Sequence, residues 1–188
     1  MKKLIGLLIA ATLLTTTACS EAPKVDNSYQ SGDGTVTEFK PADRKAAVTW
    51  IGLDSDGQVL SSENLTGVVT VLNFWYASCT PCRVETPDLV ELSKTFSGKA
   101  QFVGVNVRDS AETANAFRKT FKVDFPTIID ANSGEVVLAF TGIVTPSAVP
   151  TTLVIDRNGK VAARILGLAE KSILKTLIQS TYDEGLPD

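Results

Sequence analysis

Apolar positions along the chain cluster into short runs that predict a series of β-strands. The longest run covers residues 68–76 and is apolar at almost every position, which is typical of a strand buried on both faces of a sheet. Residues 101–107, 125–129 and 151–155 form further apolar, β-branched runs of strand length. Residues 160–166 follow a tight Asp-Arg-Asn-Gly turn, which predicts an antiparallel partner for the preceding strand.

Between these strands the apolar positions recur with helical spacing. A helix is predicted after Cys79 as far as Phe96, with Val84, Leu89, Leu92 and Phe96 on its buried face. Three more helices are predicted over residues 110–121, 135–140 and 170–182. This alternation predicts an α/β fold in which a mixed central sheet has helices on both faces.

Two short runs precede the longest strand. Residues 47–53 and 58–60 are separated by Asp-Ser-Asp-Gly, and this pattern predicts a β-hairpin before the central sheet. The folded domain is therefore predicted over residues 46–184. Residues 19–45 are rich in Ser, Gly, Asp, Pro, Lys and Thr, and they predict a flexible tether with an extended reach on the order of 80 Å.

The N-terminus has the pattern of an export signal. Two lysines precede an apolar stretch over residues 4–14, which is too short for an ordinary transmembrane helix. Ala18 and Cys19 follow, and this arrangement resembles the bacterial lipobox, in which the cysteine is lipidated, although Thr16 stands where that motif prefers Leu. Residues 1–18 are thus predicted as a signal peptide of lipoprotein type. The alternatives are an ordinary secretory signal cut near Ala18 and an uncleaved anchor.

Composition removes several classes of function. The net charge of −3 lacks the basic footprint of a nucleic-acid-binding protein. The chain of 188 residues contains no histidine, which removes serine–histidine catalysis and the zinc and copper sites that need imidazole. Of its three cysteines, Cys19 would be consumed by lipidation, which leaves Cys79 and Cys82 as an even pair outside the cytosol.

Cys79 and Cys82 are separated by two residues and stand where a buried strand gives way to a helix. Free backbone N–H groups at a helix N-terminus favour a thiolate, and the thiolate is the form that attacks disulfides. Cys79 is therefore predicted as the attacking cysteine and Cys82 as the resolving one. Two thiols without histidine are too few for an ordinary metal site, and a structural disulfide closing so small a loop would stabilise the fold little.

Several segments together resemble the TlpA/ResA group of exported thioredoxin-like proteins, within the redoxin superfamily. They are Asn-Phe-Trp at 73–75, Cys-Thr-Pro-Cys-Arg-Val-Glu-Thr-Pro at 79–87, Val-Pro-Thr-Thr-Leu-Val-Ile-Asp at 149–156 and Asn-Gly-Lys-Val at 158–161. The resemblance covers about residues 47–182 in the expected order. It implies a thioredoxin-like fold with the hairpin added before it and a strand–helix insertion between the active-site helix and the proline.

The resemblance also implies roles for particular residues. Pro150 matches the group's cis-proline, and its loop with Val149 would offer backbone to an extended substrate. Glu85 matches an acidic residue near the site. It lies one helical turn past Cys82, so it could modulate a thiol pKa or relay a proton. The alternative for Glu85 is a solvated surface carboxylate.

Three further positions belong to the same comparison. Trp75 is placed beside the site, in substrate contact or in packing. Asn73 stands where thioredoxin has a buried Asp, and an amide cannot act as a base, so Glu85 is the better candidate for that task. Ser78 departs from the group, which commonly has Trp there, and the change removes an aromatic contact surface beside the thiol.

The resulting expectation is a thiol–disulfide oxidoreductase anchored to the outer face of the cell membrane and acting on cysteine pairs of exported proteins. A reductase is favoured, with apocytochrome c haem-site cysteines as one substrate class and a membrane thiol carrier as electron donor. The alternatives are a disulfide-forming oxidase and a non-enzymatic ligand-binding or metallochaperone lipoprotein. A peroxiredoxin is disfavoured because its Pro-x-x-x-Thr-x-x-Cys pattern is absent, with Tyr76 standing three residues before Cys79. No cofactor, metal or nucleic acid is expected, and the chain is expected to be monomeric.

Overall fold

The computed structural model describes residues 28–31, 34–145 and 148–184. The predicted signal peptide, Cys19 and the first part of the predicted tether lie outside these residues. Within them, no helix has the length and apolar character needed to cross a membrane.

One mixed sheet of seven strands organises the described residues, in the order β1-β2-β9-β8-β5-β6-β7. Strands β5, β6 and β7 run parallel, and β8, β9, β2 and β1 continue the sheet in antiparallel pairs. This arrangement confirms the predicted α/β fold with a mixed central sheet. The bounds are β1 Ser28–Ser31, β2 Gly34–Glu38, β5 Val69–Trp75, β6 Ala100–Asn106, β7 Thr127–Ile129, β8 Thr151–Ile155 and β9 Val161–Gly167.

Four α-helices in the described residues connect and cover these strands. They are α1 Thr80–Thr95, α2 Ala111–Phe121, α3 Glu135–Ala139 and α4 Lys171–Asp183. Helix α2 starts where the sequence indicates, because the Ser110 side chain accepts the N–H of Thr113 as an N-cap. Strand β7 and helix α3 lie between α1 and Pro150 and form the predicted strand–helix insertion.

The core is divided by the sheet into two apolar layers. Val71 points from β5 into the layer under α1 and α4, together with Leu89 and Leu174. The next residue, Leu72, points to the opposite layer, as expected for a strand with alternating side-chain directions. That second layer includes Ile128, Val136 and Phe140 from the insertion. Strand β5 is therefore buried on both faces, as its nearly continuous apolar run predicts.

The predicted hairpin is present as a separate two-stranded sheet of β3 Ile51–Leu53 and β4 Val59–Ser61. Its inner face packs on the insertion, since a Cβ placed on Gly52 would lie 2.5 Å from a methyl carbon of Ile128. Only glycine fits at that position without displacing the core.

The prediction of a tether through residue 45 is wrong in its C-terminal part. Strand β2 pairs with β9 in the main sheet, and Val36 is buried in the layer under α1 and α4. The Arg44 guanidinium is also buried, donating to the Phe39 carbonyl and forming an ion pair at 2.9 Å with Asp156. Little in the sequence indicates this strand, because Val36 is the one apolar side chain in Gly34–Glu38.

Candidate active site

The cysteine pair lies at the carboxyl end of the central strand, where β5 gives way to α1. Cys79 is the N-cap residue of α1, and its sulfur accepts the N–H of Cys82 at 3.2 Å. A disulfide joins the two cysteines. Their exposures are 3% for Cys79 and 1% for Cys82, so the redox pair is almost covered by protein, with Cys82 the deeper member. The predicted placement at a helix N-terminus is confirmed.

The loop before β8 faces the pair. The Val149–Pro150 peptide bond is cis, as the resemblance implied, and the carbonyl oxygen of Val149 lies 3.9 Å from the Cys79 sulfur. Pro150 is buried, and its own carbonyl accepts the N–H of Gly167 on β9. The sheet therefore fixes this loop against the sulfur and leaves Val149 half-buried beside it.

Glu85 lies inside the protein rather than on its surface. Only 1% of it is exposed. Its Oε1 accepts from Nδ2 of Asn73 at 2.7 Å, and its Oε2 accepts the backbone N–H of Ala169 at 2.8 Å. Burial raises the pKa of Glu85 from 4.5 to about 7, and the hydrogen bonds from Ala169 and Asn73 oppose that rise. A carboxyl group in this state exchanges a proton near neutral pH, one helical turn from Cys82.

Asn73 connects the central strand to this carboxyl group. It is buried on β5, and its Nδ2 donates to Thr152 Oγ1 at 3.0 Å as well as to Glu85. The sequence comparison marks Asn73 only as a residue unable to act as a base. Its contact with Glu85 was missed, and the usable signal was a polar residue in the middle of an apolar strand, which requires a buried partner.

The buried face of helix α1 differs from the face that the apolar pattern predicts. Val84, which was predicted on the core face, is 60% exposed, whereas the adjacent Glu85 is buried. The prediction for Val84 is therefore wrong. The predicted Leu89, Leu92 and Phe96 are buried as expected. The rotation of the helix follows from Cys82, Glu85 and Leu89, which recur at helical spacing and share the inward face.

Trp75 packs next to the disulfide. It is buried, and its ring lies 4.4 Å from that of Phe117 on α2, in a cluster that includes both cysteines. With so little surface exposed, Trp75 has little to offer a substrate, and its position fits packing rather than substrate contact. Ser78 is exposed immediately before Cys79.

These features define a class of protein: a thioredoxin fold that carries a Cys-x-x-Cys disulfide at a helix N-terminus, opposite a cis-proline loop. A family model described as the AhpC/TSA family matches residues 42–164. The chain belongs to this AhpC/TSA family.

Curated relatives agree with this class. The chain is 29% identical over 175 residues to the thiol-disulfide oxidoreductase ResA of Bacillus subtilis strain 168, covering 93% of this chain and 92% of that protein. It is 31% identical over 128 residues to ResA of Geobacillus thermodenitrificans, covering 68% of this chain and 71% of the relative.

Solved structures show the same fold. A DsbF homologue from Corynebacterium diphtheriae superposes with a TM-score of 0.71 at 30% identity, over 77% of this chain and 92% of its own. A secreted thiol-disulfide isomerase from Corynebacterium glutamicum gives a TM-score of 0.74 at 27% identity, over 82% and 96% of the two chains. The protein is thus a thiol–disulfide oxidoreductase of the ResA and DsbE type with a thioredoxin-like fold.

Proposed function

We propose that the protein is a membrane-tethered, extracytoplasmic reductase of disulfides in exported proteins, with Cys79, Cys82 and Glu85 as its catalytic residues. The observation that carries this proposal is the placement of the disulfide between two different surroundings. The Val149 carbonyl faces Cys79, and the buried Glu85 carboxyl group belongs to the turn of α1 that follows Cys82. The first suits a substrate backbone and the second suits proton transfer.

The first chemical step belongs to Cys79 in the reduced protein. Its thiolate attacks one sulfur of the substrate disulfide, a new sulfur–sulfur bond forms, and the other substrate sulfur leaves as a thiolate. Helix α1 favours the thiolate through the free N–H groups of its first turn, one of which already bonds the Cys79 sulfur. The cis-Pro150 loop holds the substrate chain, with the Val149 carbonyl available to a backbone N–H.

The second step belongs to Cys82 and Glu85. The Glu85 carboxylate accepts the proton of the Cys82 thiol, and the Cys82 thiolate attacks the Cys79 sulfur. The mixed disulfide breaks, the substrate leaves with two reduced thiols, and Cys79–Cys82 is again a disulfide. A membrane thiol carrier returns the two electrons and regenerates the Cys79 and Cys82 thiols.

Titration of the pair against buffers of known potential tests the direction of electron flow. A reductase requires a potential well below the roughly −180 mV of protein disulfide isomerase. A value near the −120 mV of a strong oxidant would overturn the reductase assignment and leave the oxidase alternative.

Trapping tests the substrate class. With Cys82→Ala the second step cannot occur, so mixed disulfides with substrates should accumulate on Cys79 in cells. Apocytochrome c fragments among the trapped proteins would support a role in cytochrome c maturation. A double variant that also carries Cys79→Ala is the control and should trap nothing. Absence of trapping in Cys82→Ala itself would contradict the role of Cys79.

Glu85→Gln tests the proton-transfer role. We expect release of the substrate from the mixed disulfide to slow by at least about tenfold and to lose its dependence on a group with a pKa of about 7. Glu63→Gln removes an exposed carboxylate and is the matched control. An unchanged pH profile in Glu85→Gln would return Glu85 to a structural role.

Metabolic labelling with a fatty acid tests the anchor. The label should appear on the full chain expressed in a bacterium and should disappear with Cys19→Ala. Labelling that survives this change would contradict lipidation at Cys19, and an unlabelled protein found in the medium would favour the ordinary secretory signal.

A further inference from the structure

Ala77, in the loop that leads into the attacking cysteine, is bonded through both of its backbone polar groups. Its N–H donates to Oδ2 of Asp109 at 2.6 Å, and its carbonyl oxygen accepts from Nη1 of Arg83 at 3.1 Å. Both backbone polar groups of Ala77 are thus bonded to charged side chains, and bonds of that kind are among the stronger ones in proteins. Ala77 lies two residues before Cys79.

Asp109 is itself fixed to the neighbouring strand. Its Oδ2 also accepts from Nδ2 of Asn106 at 2.8 Å, and its N–H donates to Oδ1 of Asn106 at 2.8 Å. Asn106 ends β6 and is fully buried. The carboxylate that holds Ala77 is therefore anchored to the central sheet.

Arg83 is fixed from the opposite side. Its guanidinium carbon lies 5.0 Å from the ring centre of Phe121 and 5.7 Å from that of Phe117, which is the distance range of cation–π contacts. Phe117 in turn packs on Trp75 at the end of β5. The side chain that holds the Ala77 carbonyl is therefore supported by α2.

We propose that Arg83 and Asp109 are positioning residues for thiol–disulfide exchange. Together they fix Ala77, and through it the path of the chain into α1, so that the Cys79 sulfur stays beside the N–H of Cys82 and the Val149 carbonyl. Neither residue contacts the reacting sulfurs in this role. The inference rests on the proposed role of Cys79 as the attacking cysteine.

Because Arg83 and Asp109 carry opposite charges, a positioning role can be distinguished from a direct effect of their charges on Cys79. A nearby cation stabilises a thiolate and a nearby anion destabilises it. Loss of Arg83 should therefore raise the pKa of Cys79, and loss of Asp109 should lower it. Positioning predicts a different result. Loss of either residue frees Ala77, so the limiting rate at which the Cys79 thiolate reacts should fall in both cases.

The experiment uses the reduced full chain in a Cys82→Ser background, so that Cys79 is the reacting thiol of the pair. The rate of reaction with dithiodipyridine, a neutral aromatic disulfide, is measured across pH and resolved into a Cys79 pKa and a limiting rate for the thiolate. Arg83→Met keeps a long side chain over the rings but cannot bond Ala77. Asp109→Ala removes the acceptor, and Asp109→Asn retains an oxygen acceptor without the charge.

Matched controls remove like charges that do not bond Ala77. Arg108→Met removes an exposed guanidinium that lies 4.3 Å from the ring centre of Tyr76, and Glu112→Gln removes an exposed carboxylate from the first turn of α2. We expect the limiting rate to fall about tenfold in Arg83→Met and Asp109→Ala. It should stay within about twofold of the parent in both controls and recover in Asp109→Asn.

Limiting rates equal to those of the controls, with pKa values that move only in opposite directions, would overturn the proposal. Arg83 is exposed, so Arg83→Met is expected to fold even if Asp109→Ala does not, and its limiting rate alone is then decisive. Failure of Cys79 as the attacking residue would be seen separately, as the absence of mixed disulfides in the Cys82→Ala trapping experiment.

Discussion

Burial of the Glu85 carboxyl group connects the stability of the fold to pH. The pKa of this group is about 7 in the folded protein and 4.5 when it is free of the fold. Between these values the folded state binds more protons than the unfolded state, so the free energy of unfolding falls as pH rises through this range. The size of the effect is about 3 kcal/mol, since one pKa unit corresponds to about 1.4 kcal/mol.

We therefore predict that urea unfolding between pH 4.5 and 7 shows stability decreasing with pH, and that Glu85→Gln removes most of this slope. The slope, rather than the absolute stability, is the readout, because a Gln amide placed against the N–H of Ala169 would cost stability by itself. A slope that is the same in Glu85→Gln and in the parent would contradict the raised pKa.

A second residue-level prediction concerns Gly104 in β6. A Cβ at this position would lie 2.8 Å from Thr127 Oγ1 and 2.8 Å from Trp75 Nε1. Gly104→Ala should therefore destabilise the protein by about 1–3 kcal/mol and change the fluorescence of Trp75. Adding Thr127→Ala removes one of the two clashes and should restore part of the stability in chemical denaturation. No recovery would mean that Trp75 alone resists the methyl group.

At the scale of single residues, the sequence identifies the reactive residues, but it says less about the side chains that surround them. Cys79 and Cys82 are recognisable from spacing alone, because the chemistry requires two thiols one turn apart. The environment of Glu85 is not, because its burial depends on Asn73 from β5 and Ala169 before α4. Those contacts join positions far apart in the chain, and local apolar patterns carry no information about them.

Helix α1 shows the same effect at the scale of an element. Its bounds follow from the sequence to within about a residue, but its rotation does not, since Val84 is exposed and Glu85 is buried. An apolar pattern assumes that every apolar residue faces the core. A buried functional carboxylate breaks that assumption and displaces its apolar neighbour to the surface.

The rotation of α1 gives a test with a control on the same helix. Val84→Ser should change stability by no more than about 0.5 kcal/mol, because the side chain is already in solvent. Leu89→Ala should cost about 2–5 kcal/mol, because Leu89 is buried in the layer under α1. Thermal or urea unfolding of the two variants distinguishes them. A similar loss in both would place Val84 in the core after all.

At the scale of the whole molecule, the alternation of strands and helices is sufficient to predict the mixed sheet, and the family resemblance adds the strand–helix insertion. Neither is sufficient to find the two strands beyond β9, which are β2 and β1. Strand β2 is short and polar apart from Val36, and its pairing with β9 comes from the far end of the chain. A strand with one apolar side chain carries little signal in the sequence, although β1 and β9 pair with it on its two sides.

Truncation tests the assignment of the sheet edge. A chain that starts at residue 46 lacks β2 and Arg44, and it leaves β9 as an unpaired edge. It should be less stable than a chain that starts at residue 28 by at least about 2 kcal/mol, since burial of a side chain such as Val36 alone contributes about 1.5–3 kcal/mol. A chain that starts at residue 40 lacks β2 but keeps Arg44. It therefore separates the contribution of the Arg44–Asp156 ion pair to stability from that of the strand. Equal stability of all three would restore the tether to residue 45.

If Cys19 carries a lipid, the position of β1 limits the distance between the folded domain and the membrane. Ser28, the first residue of β1, is nine positions after Cys19, so the linker between them spans at most about 30 Å when fully extended. A linker of this length keeps the domain close to the surface of the bilayer. A short linker of this kind gives effective concentrations in the millimolar range for partners within reach. The membrane thiol carrier could then reduce the pair through a weak encounter, whereas a substrate would have to come to the membrane to be reduced.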